Sequence, residues 1–198
     1  MLNGNIKPDS TFRIMDKYTM KLICKEDLDE ILKMLENPNI VKYLRCPPNF
    51  PEDPETFHLY FDPIVEDSEE ALKEGRWPSS PRYIIRDDTG ILVGQAVLHE
   101  ELFLEGNFDV GYQIHENAWG KGIATAACKV ITELAFKVLG AHKLTADCFG
   151  GNIGSKCVLE KSGFNIEGII TKYYKLDTGD FDDKVLFGFT REQFLSSK

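Results

Sequence analysis

Metal-site spacing is the first thing this sequence lacks. Its four histidines, His58, His99, His115 and His142, are scattered, and its five cysteines include no Cys-x-x-Cys pair, so no metal centre is expected. A disulfide framework is missing too. Cys24, Cys46, Cys128, Cys148 and Cys157 are odd in number, and three of them fall on apolar positions of expected core elements, which reads as reduced packing cysteines. Nothing approaches the roughly 20 apolar residues of a membrane span, and Met1 to Ser10 has no apolar core of a secretion signal, so a cytoplasmic protein away from membranes is expected. Positive charge is also in short supply. With 23 Lys and Arg against 32 Asp and Glu the formal charge is −9, which argues against non-specific nucleic-acid binding and leaves room for a basic partner.

What is present suits one enzyme-sized domain spanning 1–198. A chain of 198 residues that is 42% apolar can bury a substantial core, and it contains neither internal repeats nor low-complexity tracts. Thr11 to Cys24 contains a first strand around Met20 to Ile23, and Glu26-Asp27 opens a helix with Leu28, Ile31, Leu32 and Leu35 on one face, interrupted at Asn37-Pro38. Residues 46–81 carry Pro47, Pro48, Pro51, Pro54, Pro63, Pro78 and Pro81, seven of the nine prolines, with two short helices expected at Pro54 to Phe61 and Glu66 to Glu74. Phe57, Leu59, Tyr60, Phe61, Ile64 and Trp77 make this a folded insertion, because they would be costly to leave in water. Two hairpins follow from their turn residues: Tyr83 to Arg86 with Ile91 to Leu98, and Phe164 to Leu176 with Phe181 to Thr190.

The most telling stretch is Trp119-Gly120-Lys121-Gly122-Ile123-Ala124-Thr125. It stands between an alternating strand, Phe108 to Ile114, and a long amphipathic helix whose apolar positions run from Ile123 to Leu139 and stop at Gly140. The first N–H groups of such a helix have no intrahelical partner and carry the positive end of the macrodipole, so they favour an anion with several oxygens. Gly120 and Gly122 let it approach the main chain, and Thr125 offers a hydroxyl. Two other phosphate motifs fail. A Walker loop would need Ser or Thr after Gly-Lys, where Gly122 stands. A dinucleotide fingerprint would need a third small residue where Thr125 stands and an acid near Ala141-His142-Lys143.

Downstream, Leu144 to Phe149 is a second alternating strand, followed by Gly150-Gly151-Asn152 and a short helix, Ile153 to Phe164. Here the chain resembles the Gcn5-related N-acetyltransferases (GNAT), and in particular their Rim-type branch of ribosomal-protein N-terminal acetyltransferases. Trp119, Gly122 and Ala124 match the register of the family's Gln/Arg-x-x-Gly-x-Gly/Ala loop, an aromatic at the first position resembling the Rim-type variant. Asn152, Ser155 and Val158 to Phe164 match the branch's Asn-x-x-Ser…Val-Leu-Glu-Lys-x-Gly-Phe run.

The resemblance implies an α+β fold: a mostly antiparallel central sheet of about seven strands, splayed at the cofactor site and flanked by helices. It implies acetyl-CoA bound by Gln113, Ile114, Trp119, Gly120, Lys121, Gly122, Ile123, Ala124, Thr125, Asn152 and Ser155, with no metal. It implies direct attack of a primary amine on the thioester in a ternary complex, most of the gain coming from orientation, and an oxyanion donor at the backbone N–H near Ile114. Ser155 matches the serine that the branch places beside the CoA sulfur, as general acid; its plain alternative is a first-turn residue satisfying the helix start, as Asn152 does at the cap. Asp109 matches an acidic position of the branch and is a candidate base, with Asp147 on the neighbouring strand. His99, with Glu100 and Glu101, is suited to act on the amine through water, and bulk water alone suffices for an amine of low pKa.

For the acceptor, the branch implies a groove for a peptide or protein N-terminus, with Phe57, Tyr60, Tyr173 and Tyr174 suited to lining it. A small amine such as a polyamine, an amino acid or an aminoglycoside is the alternative, the acidic insertion at 52–74 then shaping a cationic pocket. A non-catalytic acyl-CoA-binding regulatory module is the third reading. No nucleic acid or membrane partner is expected.

Overall fold

The computed structural model describes residues 6–44 and 53–196, so Cys46 and Glu52 lie outside the described residues. The chain runs through β1 (Phe12–Met15), β2 (Tyr18–Leu22), α1 (Leu28–Leu35), α2 (Pro38–Val41), α3 (Pro54–Glu74), β3 (Arg82–Asp87), β4 (Leu92–Glu100), β5 (Asn107–Ile114), α4 (Ile123–Lys137), β6 (Lys143–Phe149), α5 (Ile153–Lys161), β7 (Asn165–Lys175), β8 (Phe181–Thr190) and α6 (Arg191–Ser196). One sheet holds eight strands in the order β1-β2-β3-β4-β5-β6-β8-β7, and every neighbouring pair is antiparallel except β5 with β6. The strand beyond the expected seven is β1. It is four residues long, and the Asp16-Lys17 turn that folds it onto β2 contains no Gly, Pro or Asn to announce a hairpin.

Pleating sorts the side chains into two faces. Register places Arg82 beside Val97 and Val97 beside Gly111, so Ile84, Gln95, Asp109 and Gln113 share their face, while Tyr83, Ala96, Leu98, Val110 and Tyr112 project from the other. The first face is covered by α1, α2 and α3 through a core of Ile23, Ile31, Met34, Phe57, Phe61, Val65 and Ile84. The second packs on α4 through Ala127, Ile131, Leu134 and Phe136. The short α6, for which the sequence carries no clear signal, adds Phe194, stacked on Phe136 with centroids 4.9 Å apart.

The two helices expected in 54–74 are one. Pro63 removes an N–H from the middle of α3, yet Phe57, Phe61, Val65, Ser68 and Ala71 keep a single buried stripe through it. Pro63 and Leu59, whose carbonyl loses its donor, both sit on the exposed side, where water supplies a partner. Gly75, in the left-handed region at φ 69°, closes the helix.

A charge cluster ties α1 to the sheet. Asp27 is 1% exposed, and its carboxylate accepts from Arg86 Nη2 at 2.7 Å and from the Cys24 N–H at 2.8 Å. Arg86 also donates to Glu30 at 2.7 and 3.1 Å. Removing the cation leaves a buried carboxylate unneutralised. Arg86→Met is expected to lower the unfolding free energy by about 3–5 kcal/mol, while Arg13→Met on the exposed β1 changes it by less than about 0.5 kcal/mol; urea denaturation of both variants checks this.

Candidate active site

The parallel contact between β5 and β6 is short. Asn107, Phe108 and Asp109 pair with Lys143, Leu144 and Thr145, and beyond them the strands part. On its other edge β5 stays paired with β4 as far as the His115 N–H, which donates to Val93 O at 2.8 Å. The alternation of an antiparallel ladder therefore turns the main-chain groups of Val110, Tyr112 and Ile114 into the gap beside β6. The Trp119 indole N–H donates to Ile114 O at 2.6 Å, which anchors the following loop to this edge, and the Ile114 N–H opens on the same gap. A cavity of about 920 Å³ passes through it. Val110, Tyr112, Ile114, Cys148 and Ser155 line it from the α4 side of the sheet; Arg82, Gln95, Asp109, Gln113 and Phe149 line it from the other, under Tyr43, Tyr60 and Phe61.

At one mouth of this cavity α4 begins bare. Gly122 is its N-cap at φ 78°, offers no side-chain cap, and is followed by no acidic residue in the first turn. The first intrahelical bond is made by the Ala126 N–H, to Gly122 O at 3.0 Å, so the N–H groups of Ile123, Ala124 and Thr125 precede the ladder. Gly120 also has positive φ, at 73°, and a Cβ built on either glycine would touch nothing within 4 Å. Open space, bare N–H groups and a helix dipole form a cradle that fits a pyrophosphate.

At the far end of the gap Asn152 caps α5, its Oδ1 accepting from the Ser155 N–H at 3.0 Å. The Ser155 hydroxyl lies 3.0 Å from the hydroxyl of Tyr112, which also donates to Ser155 O at 3.1 Å. Burial pushes the Tyr112 phenol well above its usual range. It pushes the neighbouring Cys148 thiol up to about 11. Both groups keep their protons at neutral pH.

Residues 18–165 match the family model of the acetyltransferase (GNAT) domain. The chain belongs to the GNAT acetyltransferase family. It is 26% identical over 159 residues to the uncharacterized N-acetyltransferase YnaD of Bacillus subtilis strain 168, covering 78% of this chain and 85% of that one. Its fold is similar to that of the ribosomal-protein-S5-alanine acetyltransferase of Vibrio fischeri, with a TM-score of 0.77, 22% identity, and coverage of 93% of this chain and 98% of the other. It is also similar to the spermidine N-acetyltransferase of Vibrio cholerae, solved with CoA and spermine, with a TM-score of 0.72, 20% identity, and coverage of 91% and 99%. The activity is thus that of an acetyl-CoA N-acetyltransferase, on an eight-stranded version of the GNAT fold.

In this acetyltransferase Gln113, Ile114, Trp119, Gly120, Gly122, Ile123, Ala124, Thr125, Asn152, Ser155 and Asp109 all line the one cavity. Lys121 does not; its ammonium folds back onto Asn117 O at 3.0 Å. His99 does not line it either. It shares a sheet face with Asp109, but its Nδ1 is held by the Ser80 hydroxyl, at the end of β4 away from the gap. Asp147 lines the cavity with both carboxylate oxygens engaged, by Tyr174 OH at 2.9 Å and Lys184 Nζ at 3.0 Å. Of the four aromatics expected along the groove, only Tyr60 lines the cavity. Phe57 is core, Tyr174 is buried against Phe149, and Tyr173 is exposed away from it. Among the described residues no group of His, Cys, Asp or Glu side chains is arranged to hold a metal ion.

Tyr112, Arg82, Gln95, Tyr43 and Phe149 escape the sequence reading. The one local signal was Arg82, an arginine that shares the inward parity of Ile84 in a strand otherwise reading Tyr-Ile-Ile.

The cradle generates a test that separates occlusion from strain. Valine at 122 would be penalised by the positive φ itself, whereas asparagine tolerates that region. Gly122→Asn is therefore expected to raise the Kd for acetyl-CoA at least about tenfold while Tm moves by no more than about 3 °C; calorimetric titration beside a thermal melt reads both, and an unchanged Kd places the pyrophosphate elsewhere.

Proposed function

We propose that this enzyme acetylates the α-amine of a peptide or protein N-terminus, with Ser155 as the acid that protonates the departing thiolate and Tyr112 as its proton source. Acetyl-CoA supplies the activated acetyl group; the chain's residues hold it, orient the amine and move protons. The helix start at Gly122 fixes the pyrophosphate, the free edge of β5 aligns the pantetheine arm, and the Ile114 N–H serves the developing oxyanion. A backbone carbonyl only accepts. Hence while the Tyr112 proton rests on Ser155 O the serine hydroxyl donates to the phenol oxygen; when it turns to Ser155 Oγ, Ser155 can give its own proton to the departing thiolate, take the Tyr112 proton in return, and leave the phenolate to regain one from solvent. That exchange supports a two-member relay. Asp109, on the opposite face of the same opening, is the best-positioned base for the incoming ammonium.

One observation carries the choice of acceptor: the acidic side chains of α3 turn away from the cavity. From this helix Tyr60 and Phe61 line it, whereas Glu66, Glu69 and Glu70 surround a separate surface hollow with Lys73. A polyamine site needs carboxylates converging where the substrate lies. The described cavity wall instead carries two carboxylates, Asp109 and Asp147, the second already engaged by Tyr174 and Lys184, beside an aromatic wall and a buried arginine. The test is kcat/KM for short peptides with free Ser or Ala N-termini against spermidine, lysine and an aminoglycoside at equal ionic strength. A spermidine value ten or more times that of the best peptide overturns the reading, and no turnover with any of them favours a regulatory acyl-CoA-binding module.

Two further outcomes are expected. Ser155→Ala lowers kcat about ten- to a thousandfold with acetyl-CoA affinity within a few fold, and Tyr112→Phe lowers it about tenfold or more. Because the Tyr112 pKa is raised, the acid stays protonated as pH rises. The rate should therefore climb as the amine loses its proton and show no descending limb below about pH 10. A descending limb near pH 8 in initial-rate profiles assigns the acid to another group.

A further inference from the structure

We propose that Arg82 forms a carboxylate subsite: it binds an anionic group of the amine acceptor while the amine reaches the gap between β5 and β6. The proposal rests on reading the Tyr60 side of the cavity as the acceptor side.

The Arg82 side chain lines the cavity, yet the residue is only 5% exposed. Nη1 donates to Gln95 Oε1 at 2.9 Å and Nη2 to the Tyr60 hydroxyl at 3.1 Å. Nε is buried with no hydrogen-bond partner. The guanidinium also lies 5.6 Å from the Tyr60 ring and 5.1 Å from the Phe61 ring. All of these partners are neutral. A fully buried arginine is ordinarily paired with a carboxylate, because an uncompensated cation in a low-dielectric wall is costly. Burial accordingly pulls the Arg82 pKa down.

Gln95 shows that the missing charge is local. It is 2% exposed, accepts from Arg82 through its carbonyl oxygen, and donates through Nε2 to Gln113 Oε1 at 2.6 Å. A glutamate at 95 would neutralise Arg82 within the fold. Glutamine holds the guanidinium in place and leaves its charge for a ligand. Nε–H and the remaining Nη protons form the planar fork that matches two carboxylate oxygens. Arg82 stands two strands from β5, roughly 10 Å, on the face that carries Asp109 and Gln113. The arginine side chain and an acceptor one or two residues long bridge that separation.

The carboxylate has two possible sources with one chemistry: an acidic side chain near a peptide N-terminus, or the α-carboxylate of a free amino acid. A polyamine would set an ammonium against Arg82 instead.

The experiment compares C-terminally amidated tetrapeptides that differ only by Asp or Asn at the second or third position, together with serine against serinamide. We expect an acidic peptide to exceed its amide isostere by about ten- to a hundredfold in kcat/KM, mainly through KM. The preference should fall to within about threefold in Arg82→Gln with acetyl-CoA affinity retained. Gln95→Glu should abolish it too; this variant supplies the counter-ion from within and leaves no charge bare, so it serves if Arg82→Gln fails to fold. Serine exceeding serinamide by that margin with uniformly poor peptides upholds the subsite and overturns the peptide reading. Calorimetry of the same acceptors with CoA present reads the subsite without turnover. An acidic acceptor that binds no tighter than its isostere overturns the proposal, as does a preference that survives in folded Gln95→Glu protein.

Discussion

A parallel ladder that stops after three rungs governs this molecule. Had β5 and β6 stayed paired to their ends, the main-chain groups of Val110, Tyr112 and Ile114 would be tied up in the sheet, and no passage would join its two faces. The break leaves, in the middle of an otherwise closed sheet, an edge of backbone groups without a strand partner, a feature that sheets usually avoid even at their borders. Here α4 and α5 cover it on one side and α1 to α3 on the other, so among the described residues the edge lies along the wall of the cavity.

This arrangement divides labour by residue parity. Even-numbered side chains of β5 meet α4 and α5, where Tyr112 finds Ser155; odd-numbered ones meet the α3 side, where Gln113 finds Gln95 and through it Arg82. A single strand thereby presents side chains to the cavity from both faces of one sheet. A one-residue slip of β5 would exchange the two sets, which makes the ladder with β4 as important to chemistry as to folding.

Features encoded within a few consecutive residues were legible in the sequence. The glycine loop, the apolar stripe of α4, the Asn152 cap and both hairpins each depend on neighbours in the chain, and motif order then pointed to the family. The rest depends on residues that meet only in space. Tyr112 and Ser155 are 43 positions apart, and nothing local marks either as the other's partner. Pro63 suggested a break because local propensity penalises it, but a continuous buried stripe on one side and water on the other overrode the penalty. The Lys121 ammonium is held by Asn117 O and does not line the cavity, a contact that its place in the loop does not announce. His99 stands directly opposite Asp109 in the ladder, with its ring held by the Ser80 hydroxyl, a contact between residues 19 positions apart that no local pattern announces.

The bare start of α4 has one more consequence. A cradle of backbone N–H groups recognises phosphate, and in acetyl-CoA the phosphates lie at the end of the molecule that the reaction leaves untouched. A grip on phosphate alone would not distinguish the loaded carrier from the spent one. Any preference for the loaded carrier would have to come from contacts at the thioester end, beyond the reach of the helix start.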